Sequence, residues 1–160
     1  MLNFRSKIKT PTELQNLILN NQIQREIVFT NGCFDILHRG HVTYLQQAKN
    51  LGKTLIVALN SDASVKKLNK GKNRPINPLD GRLDVIASLQ SVDFVTYFEQ
   101  DTPLELILQF QPDILVKGGD WKIENIVGAE SVTNNCGKVF SIPFEFDTST
   151  SKIIQKILQE

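Results

Sequence analysis

The chain is poor in the residues that most often announce chemistry. Its 160 residues include two cysteines, two histidines, one methionine and one tryptophan. Cys33 and Cys136 stand far apart with neither metal-ligand nor redox spacing, which argues against a disulfide framework and fits a reducing cytosol. Charge of one sign is also missing: 18 Lys and Arg against 17 Asp and Glu leave a net charge of +1. No bulk field then favours nucleic acid or a membrane surface, and any anion site must be local. Apolar runs such as residues 55–59 fall far short of the ~20 residues a membrane helix needs. The opening MLNFRSKIKT lacks the apolar centre of a secretory signal, so a cytoplasmic location is expected. Internal repeats and low-complexity tracts are absent too. What remains, 41% hydrophobic and 22% charged, is the composition of one ordinary globular domain able to bury a core.

The order of elements follows from periodicity. Thr10-Pro11-Thr12-Glu13 supplies an N-cap, a proline suited to the first helical position and a capping-box glutamate. Leu14, Leu17 and Ile18 then share one face, so residues 1–24 read as an N-terminal helical segment ahead of a main domain over 25–160. Strands are predicted at 27–30, 54–59, 94–98, 114–116 and 139–142. Helices are predicted at 41–51, 79–89, 125–135 and 151–158. Another starts at Thr102-Pro103-Leu104-Glu105, with the same capping chemistry, and stops at Pro112. The unbroken apolar run TLIVAL predicts a strand covered on both faces. Such alternation implies right-handed crossovers and a single α/β domain around a five-stranded parallel sheet. The long polar connection over 61–78 reads either as a flap over a site or as a solvated loop.

In sheets of this kind ligands bind beyond the carboxyl ends of the strands, where strand order reverses. Three unusual segments fall there: TNGCFDILHRGH (30–41) after the first strand, KGGD (117–120) after the fourth and FDTSTSK (146–152) after the fifth. The first holds both histidines of the chain, three positions apart. Gly32 and Gly40 permit close backbone approach. A helix starting at His41 would turn its free N–H groups and positive dipole end toward an anion. Two imidazoles there can donate to phosphate oxygens and offset charge that builds during a nucleotidyl transfer. The bland alternative has His38 packing on the sheet and His41 capping a helix. Zinc is disfavoured, because Cys33 has no partner at ligand spacing.

GCFDILHRGH resembles the G-x-F-D-x-x-H-x-G-H signature of the HxGH nucleotidyltransferase superfamily, and Ser149-Thr150-Ser151-Lys152 resembles its second signature with Ser in place of the second Thr. The segments HVTYLQQAKNLGKTLIVALNSDASVKKL, RPINPLDGRLDVIASLQSVDFV, DTPLELI, PDILVKGGDW and GKVFSIPF extend the likeness over about residues 25–158. They resemble the D-glycero-β-D-manno-heptose 1-phosphate adenylyltransferases in their stand-alone form, without a sugar-kinase domain. The resemblance implies a Rossmann-like, doubly wound sheet and transfer of AMP from ATP to the sugar 1-phosphate, with ADP-heptose and pyrophosphate as products. It implies that Thr30, Asn31, Gly32, Phe34 and Asp35 shape the nucleotide pocket and that His38 and His41 meet the reacting phosphate. Lys117, Gly118, Asp120, Ser149, Thr150 and Ser151 would border the nucleotide. Asn60, Asp62, Lys66, Lys67 and Arg82 would lie on the substrate side, with Lys117 and Arg82 joining the histidines in catalysis. Mg²⁺ is expected on the phosphates, with no dedicated protein metal site. A homodimer is implied as well. The same signatures occur in glycerol-phosphate and ethanolamine-phosphate cytidylyltransferases, and residue physics alone does not select adenine. A nucleotide-binding module without catalysis is the reading from another class, disfavoured by the intact histidine pair.

Overall fold

The computed structural model describes residues 3–68, 73–119 and 121–159. Five parallel strands form its sheet: β1 (Ile27–Gly32), β2 (Thr54–Asn60), β3 (Phe94–Phe98), β4 (Ile114–Gly118) and β5 (Lys138–Ile142). Their order is β3-β2-β1-β4-β5, so the winding reverses between β1 and β4. The helices are α1 (Pro11–Leu19), α2 (Arg39–Lys49), α3 (Asp62–Lys67), α4 (Leu79–Ala87), α5 (Leu104–Phe110), α6 (Ala129–Asn134) and α7 (Thr150–Ile157). None among the described residues is long and apolar enough to cross a membrane.

Side-chain alternation along the strands feeds two cores. Val28, Leu55, Val57, Leu59, Val95 and Val116 meet Tyr44, Leu45 and Ala48 of α2 and Leu83, Ile86 and Ala87 of α4. On the other face Ile27, Phe29, Ile56, Ala58 and Leu115 meet Leu14 of α1, Leu106, Ile107 and Phe110 of α5, and Ala129 and Val132 of α6. Every position of β2 is buried. At roughly 1.5–3 kcal/mol per buried large aliphatic side chain, the central strands supply most of the favourable burial. β5, at the edge, alternates between exposed and half-buried residues. The N-terminal segment packs on this same domain: Leu14 is fully buried, the Lys9 amide donates to Val95 O at 2.9 Å, and Arg5 pairs with Asp84 at 2.6 Å.

Several boundaries differ from those read in the sequence, each for a local reason. β1 and β4 run on to Gly32 and Gly118, because ladder pairing continues through Gly32↔Leu59 and Gly118↔Ile142. α2 begins at Arg39, with His38 rather than His41 at its entry. The expected side-chain cap of α5 is absent: Pro103 occupies the cap position, and the helix ends in a left-handed Gln111 (φ 45°) before Pro112 is reached. α1, by contrast, has the full capping box between Thr10 and Glu13. The predicted helix over 125–135 divides into a 3-10 turn, Ile123–Asn125, and α6, separated by Gly128 at φ 86°. The 61–78 connection is not one loop. It contains α3, capped by Ser61, and a return segment fixed to Asp35, while residues 69–72 lie outside the described residues.

Candidate active site

The turn between β1 and α2 is built to present the histidine pair. Phe34 takes a left-handed φ of 46°, and its ring meets His41 edge-on with centroids 5.1 Å apart. His41 stacks on His38 at 3.8 Å, with 23° between the rings. A Cβ on Gly40 would lie 3.1 Å from His38 Nδ1, so this glycine lets the imidazole fold back over the helix start. His38 occupies the N-cap position, yet its side chain makes no capping bond. Its Nδ1 is buried with no hydrogen-bond partner among the described residues. Burial holds the His38 pKa below the usual imidazole value, so the ring is neutral at neutral pH and keeps one N–H donor.

Both rings line a cavity of about 570 Å³ over the switch point. Its walls come from the β1 end, the α2 start, Lys117 and Gly118, and residues 148–151 at the start of α7. Ser149 caps α7 by accepting from the Lys152 amide at 3.2 Å, and Thr150 Oγ1 donates to Ile36 O at 3.4 Å, which ties α7 to the histidine turn. Two helix N-termini therefore border one space, where their dipoles and first amides favour phosphate. Lys117 Nζ donates to Asn31 Oδ1 at 3.4 Å and lies 5.9 Å from the centre of the Trp121 ring. A Cβ on Gly118 would stand 2.9 Å from the Phe144 ring, so glycine is needed for that ring to close the wall.

A second cavity of about 330 Å³ adjoins the first. Asn31, Gly32, Cys33, Lys117 and Trp121 line both, and they form the seam between them. Asn60 borders the smaller cavity, with its Nδ2 donating to Ser64 Oγ at 3.0 Å.

The structure also shows what the remaining expected residues touch. Thr30 is fully buried and shares a 2.5 Å hydrogen bond with the Tyr44 hydroxyl, so it shapes the pocket from beneath. Tyr44 reaches on to Val116 O at 3.3 Å, and burial pushes its phenol pKa up, keeping it neutral. Asp35, 3% exposed, accepts from Arg74 Nε at 2.6 Å and from the Ile76 and Asn77 amides at 2.9 and 2.8 Å. Its carboxylate holds the return segment in place. Arg82, expected on the substrate side and in catalysis, is 1% exposed. Its guanidinium donates to Cys33 O (2.7 Å), Asn77 O (3.0 Å) and Asp62 Oδ1 (2.7 Å), so in this structure it acts as a strut between loops. Asp62 is correspondingly engaged by Arg82. Lys66 is exposed, and Lys67 pairs with Asp101 at 2.7 Å on the rim of the smaller cavity. Ser151 lines the larger cavity, and Asp120 lies outside the described residues. Sequence reading gave no site role to Arg74, Tyr44, Asp101, Thr102 or Asn125. Their significance depends on tertiary neighbours, although Arg74, Tyr44, Asp101 and Thr102 all stood inside quoted segments.

A histidine pair, a strand-end lysine and two helix starts around one cavity at a switch point are suited to phosphate groups. The chain is a nucleotidyltransferase of the cytidylyltransferase-like family, whose family model matches residues 29–156. It is 47% identical over 156 residues to the D-beta-D-heptose 1-phosphate adenylyltransferase of Bordetella bronchiseptica, covering 98% of this chain and 96% of that protein. It is 54% identical over 156 residues to the bifunctional protein HldE of Campylobacter jejuni subsp. doylei, of which it spans 32%. Among solved structures, the lipopolysaccharide core biosynthesis protein of Thermoplasma volcanium superposes with a TM-score of 0.61 at 28% identity, over 76% of this chain and 98% of that one.

Proposed function

We propose that this chain transfers AMP from ATP to D-glycero-β-D-manno-heptose 1-phosphate, giving ADP-heptose and pyrophosphate. The observation that carries this reading is the stacked His38–His41 pair on the wall of a cavity shared with Lys117 and the start of α7. The near full-length likeness to a heptose 1-phosphate adenylyltransferase supports the choice of substrates. An oxygen of the sugar 1-phosphate attacks the α-phosphorus of ATP in line; the bond from that phosphorus to the bridging oxygen breaks, and pyrophosphate leaves. The nucleophile is already anionic, so the site needs no strong base. His38 and His41 hold the α-phosphate and offset charge as it moves to the leaving group. Thr30, Asn31, Gly32 and Phe34 form the floor of the nucleotide site, and Gly118, Ser149, Thr150 and Ser151 border its phosphates. Lys117, at the seam, bridges the phosphates of the two substrates.

Mg²⁺ belongs to this reading as the ion of the nucleotide. Among the described residues lining the larger cavity the one carboxylate, Asp35, is taken up by Arg74 and two amides, so in this reading the triphosphate oxygens would hold the ion. Bound there, the ion would neutralise charge on the pyrophosphate. We place the reaction in the cytoplasm, consistent with two free cysteines, and in a homodimer. Exposed Ile157 and Leu158 at the end of α7 give apolar surface that a second copy would cover, and sedimentation at working concentration tests this. Residues 25–160 carry the transferase site, and the described part of the N-terminal segment, residues 3–24, packs on it.

The deciding experiment is pyrophosphate release with Mg²⁺, each nucleoside triphosphate in turn and the heptose 1-phosphate. Turnover with ATP alone is expected, with ADP-heptose as product. Turnover only with CTP and glycerol 3-phosphate would move the chain to the cytidylyltransferases. Nucleotide binding without any release would mark a non-catalytic module.

A further inference from the structure

Resting on the adenylyl-transfer reading, we propose that the smaller cavity is the sugar subsite and that Trp121 is its stacking platform. Asn125 and the Asp101–Thr102 corner of the β3–α5 loop would read the hydroxyls. This places sugar recognition on loops after β3 and β4, away from Lys66 and Arg82.

Four observations carry the assignment. The cavity lies against the phosphate site and shares its seam, so an acceptor seated in it has its phosphate beside Lys117. Its wall pairs apolar surface from Ile126 and Val127 with the polar side chains of Asn60, Asp101, Thr102 and Asn125. A pyranose is amphipathic in the same sense, with C–H faces and a rim of hydroxyls. Trp121 leaves 48% of its surface exposed at this seam. Its backbone is nevertheless fixed, since its amide donates to Ser141 Oγ at 3.0 Å and to Gly119 O at 3.1 Å. Gly119 permits that turn with a φ of 106°. A held backbone with an open indole face is a preorganised surface, which lowers the ordering cost of binding. Finally, Lys67 pairs with Asp101 at 2.7 Å, so Lys67 acts on the rim by orienting this carboxylate.

Trp121 is the chain's single tryptophan, so its emission reports on the seam where this subsite meets the phosphate site. Titration with the heptose 1-phosphate is expected to change that emission, and saturating ATP is expected not to abolish the change. In steady state, Trp121→Ala should raise the KM for the sugar phosphate about tenfold or more, the scale of truncating an anchoring aromatic. The KM for ATP should stay within about twofold. Trp121→Phe should recover most of the loss, and Asn125→Ala should raise the sugar KM without moving that of ATP. A rise confined to the ATP KM, or emission that responds to ATP and not to the sugar phosphate, overturns the assignment. If the unaltered chain releases no pyrophosphate with this substrate pair, the functional reading falls. The emission titration then judges the cavity separately: a response to the sugar phosphate retains the subsite, and silence removes it.

Discussion

Two groups of basic side chains flank the turn between β1 and α2, and they face opposite ways. His38 and His41 stack against one another on the wall of the larger cavity. Arg82 lies behind the same turn, 1% exposed, with its guanidinium spread over Cys33, Asn77 and Asp62. The permanently charged group holds the scaffold, and the imidazoles meet the ligand space. A planar guanidinium offers five donors in fixed directions, which suits it to joining three loops at once. An imidazole kept neutral by burial avoids the cost of a buried charge before substrate arrives, yet can still donate as charge develops.

The sharpest way to break this contrast is to remove one member of each group. His41→Ala should lower kcat by about 10²–10³-fold, the effect of losing one charge-stabilising donor. Its melting temperature should move less than that of an Arg82 variant, since the ring contacts with Phe34 and His38 join residues of a single turn. Full kcat in this variant would sink the catalytic role. Arg82→Ala should do the reverse. It strands the carbonyls of Cys33 and Asn77 at roughly 1–3 kcal/mol each, whereas Asp62, with its side chain 40% exposed, can turn to water. A loss of about 3 kcal/mol corresponds to roughly 6–12 °C in Tm for a chain of this size. Thermal melts read this directly. An unchanged Tm with a raised sugar-phosphate KM would return Arg82 to the substrate side.

Gly40→Ala is a subtler break, because its two effects carry opposite signs. The added methyl would sit 3.1 Å from His38 Nδ1, so the ring must shift by a few tenths of an ångström. A displacement of that size should cost about three- to tenfold in kcat, given that a full ångström can cost about a hundredfold. The helix itself gains from alanine, by up to ~1 kcal/mol in an interior position and less here in the first turn. Slower turnover together with an unchanged or higher Tm is the expected result. Lower Tm at full activity would show that the glycine serves packing alone.

The contrast also explains what the sequence made legible. His38, His41, Lys117 and Gly118 were readable because their chemistry is local: strand ends, helix starts and glycines are encoded within a few residues. The central fold was readable for the same reason, as β2 shows, where six consecutive apolar or β-branched residues become a fully buried strand. The role of Arg82 was not readable. Nothing near it in sequence announces that Cys33, 49 positions away, supplies its carbonyl partner. Arg74 is similar, since its partner Asp35 lies 39 positions away. Trp121 and Asn125 join Asp101 and Thr102 only through the parallel crossovers. The strand boundaries differed for one shared reason: hydrogen-bond ladders extend as far as a neighbouring strand allows, which is why β1 and β4 carry the first residues of their motifs.

The smallest expected effect concerns pH and tests the neutral state of His38. Burial lowers its pKa in the folded protein from the ordinary ~6.5 of an exposed imidazole. Between those two values the unfolded chain binds more protons than the folded one, so stability rises with pH across that window. His38 therefore costs nothing above about pH 6.5, and its penalty grows as the pH falls toward the folded-state pKa. Replacing it with glutamine removes the titration while keeping an amide donor. Stability curves of the two proteins should coincide in slope above neutrality and diverge below pH 6.5, with the unaltered chain falling more steeply. An NMR titration of the His38 ring in the folded protein gives the direct reading. A pKa at or above the exposed value would mean that the ring enters the cavity already charged, and the division between a charged scaffold and a neutral His38 at the ligand space would no longer hold.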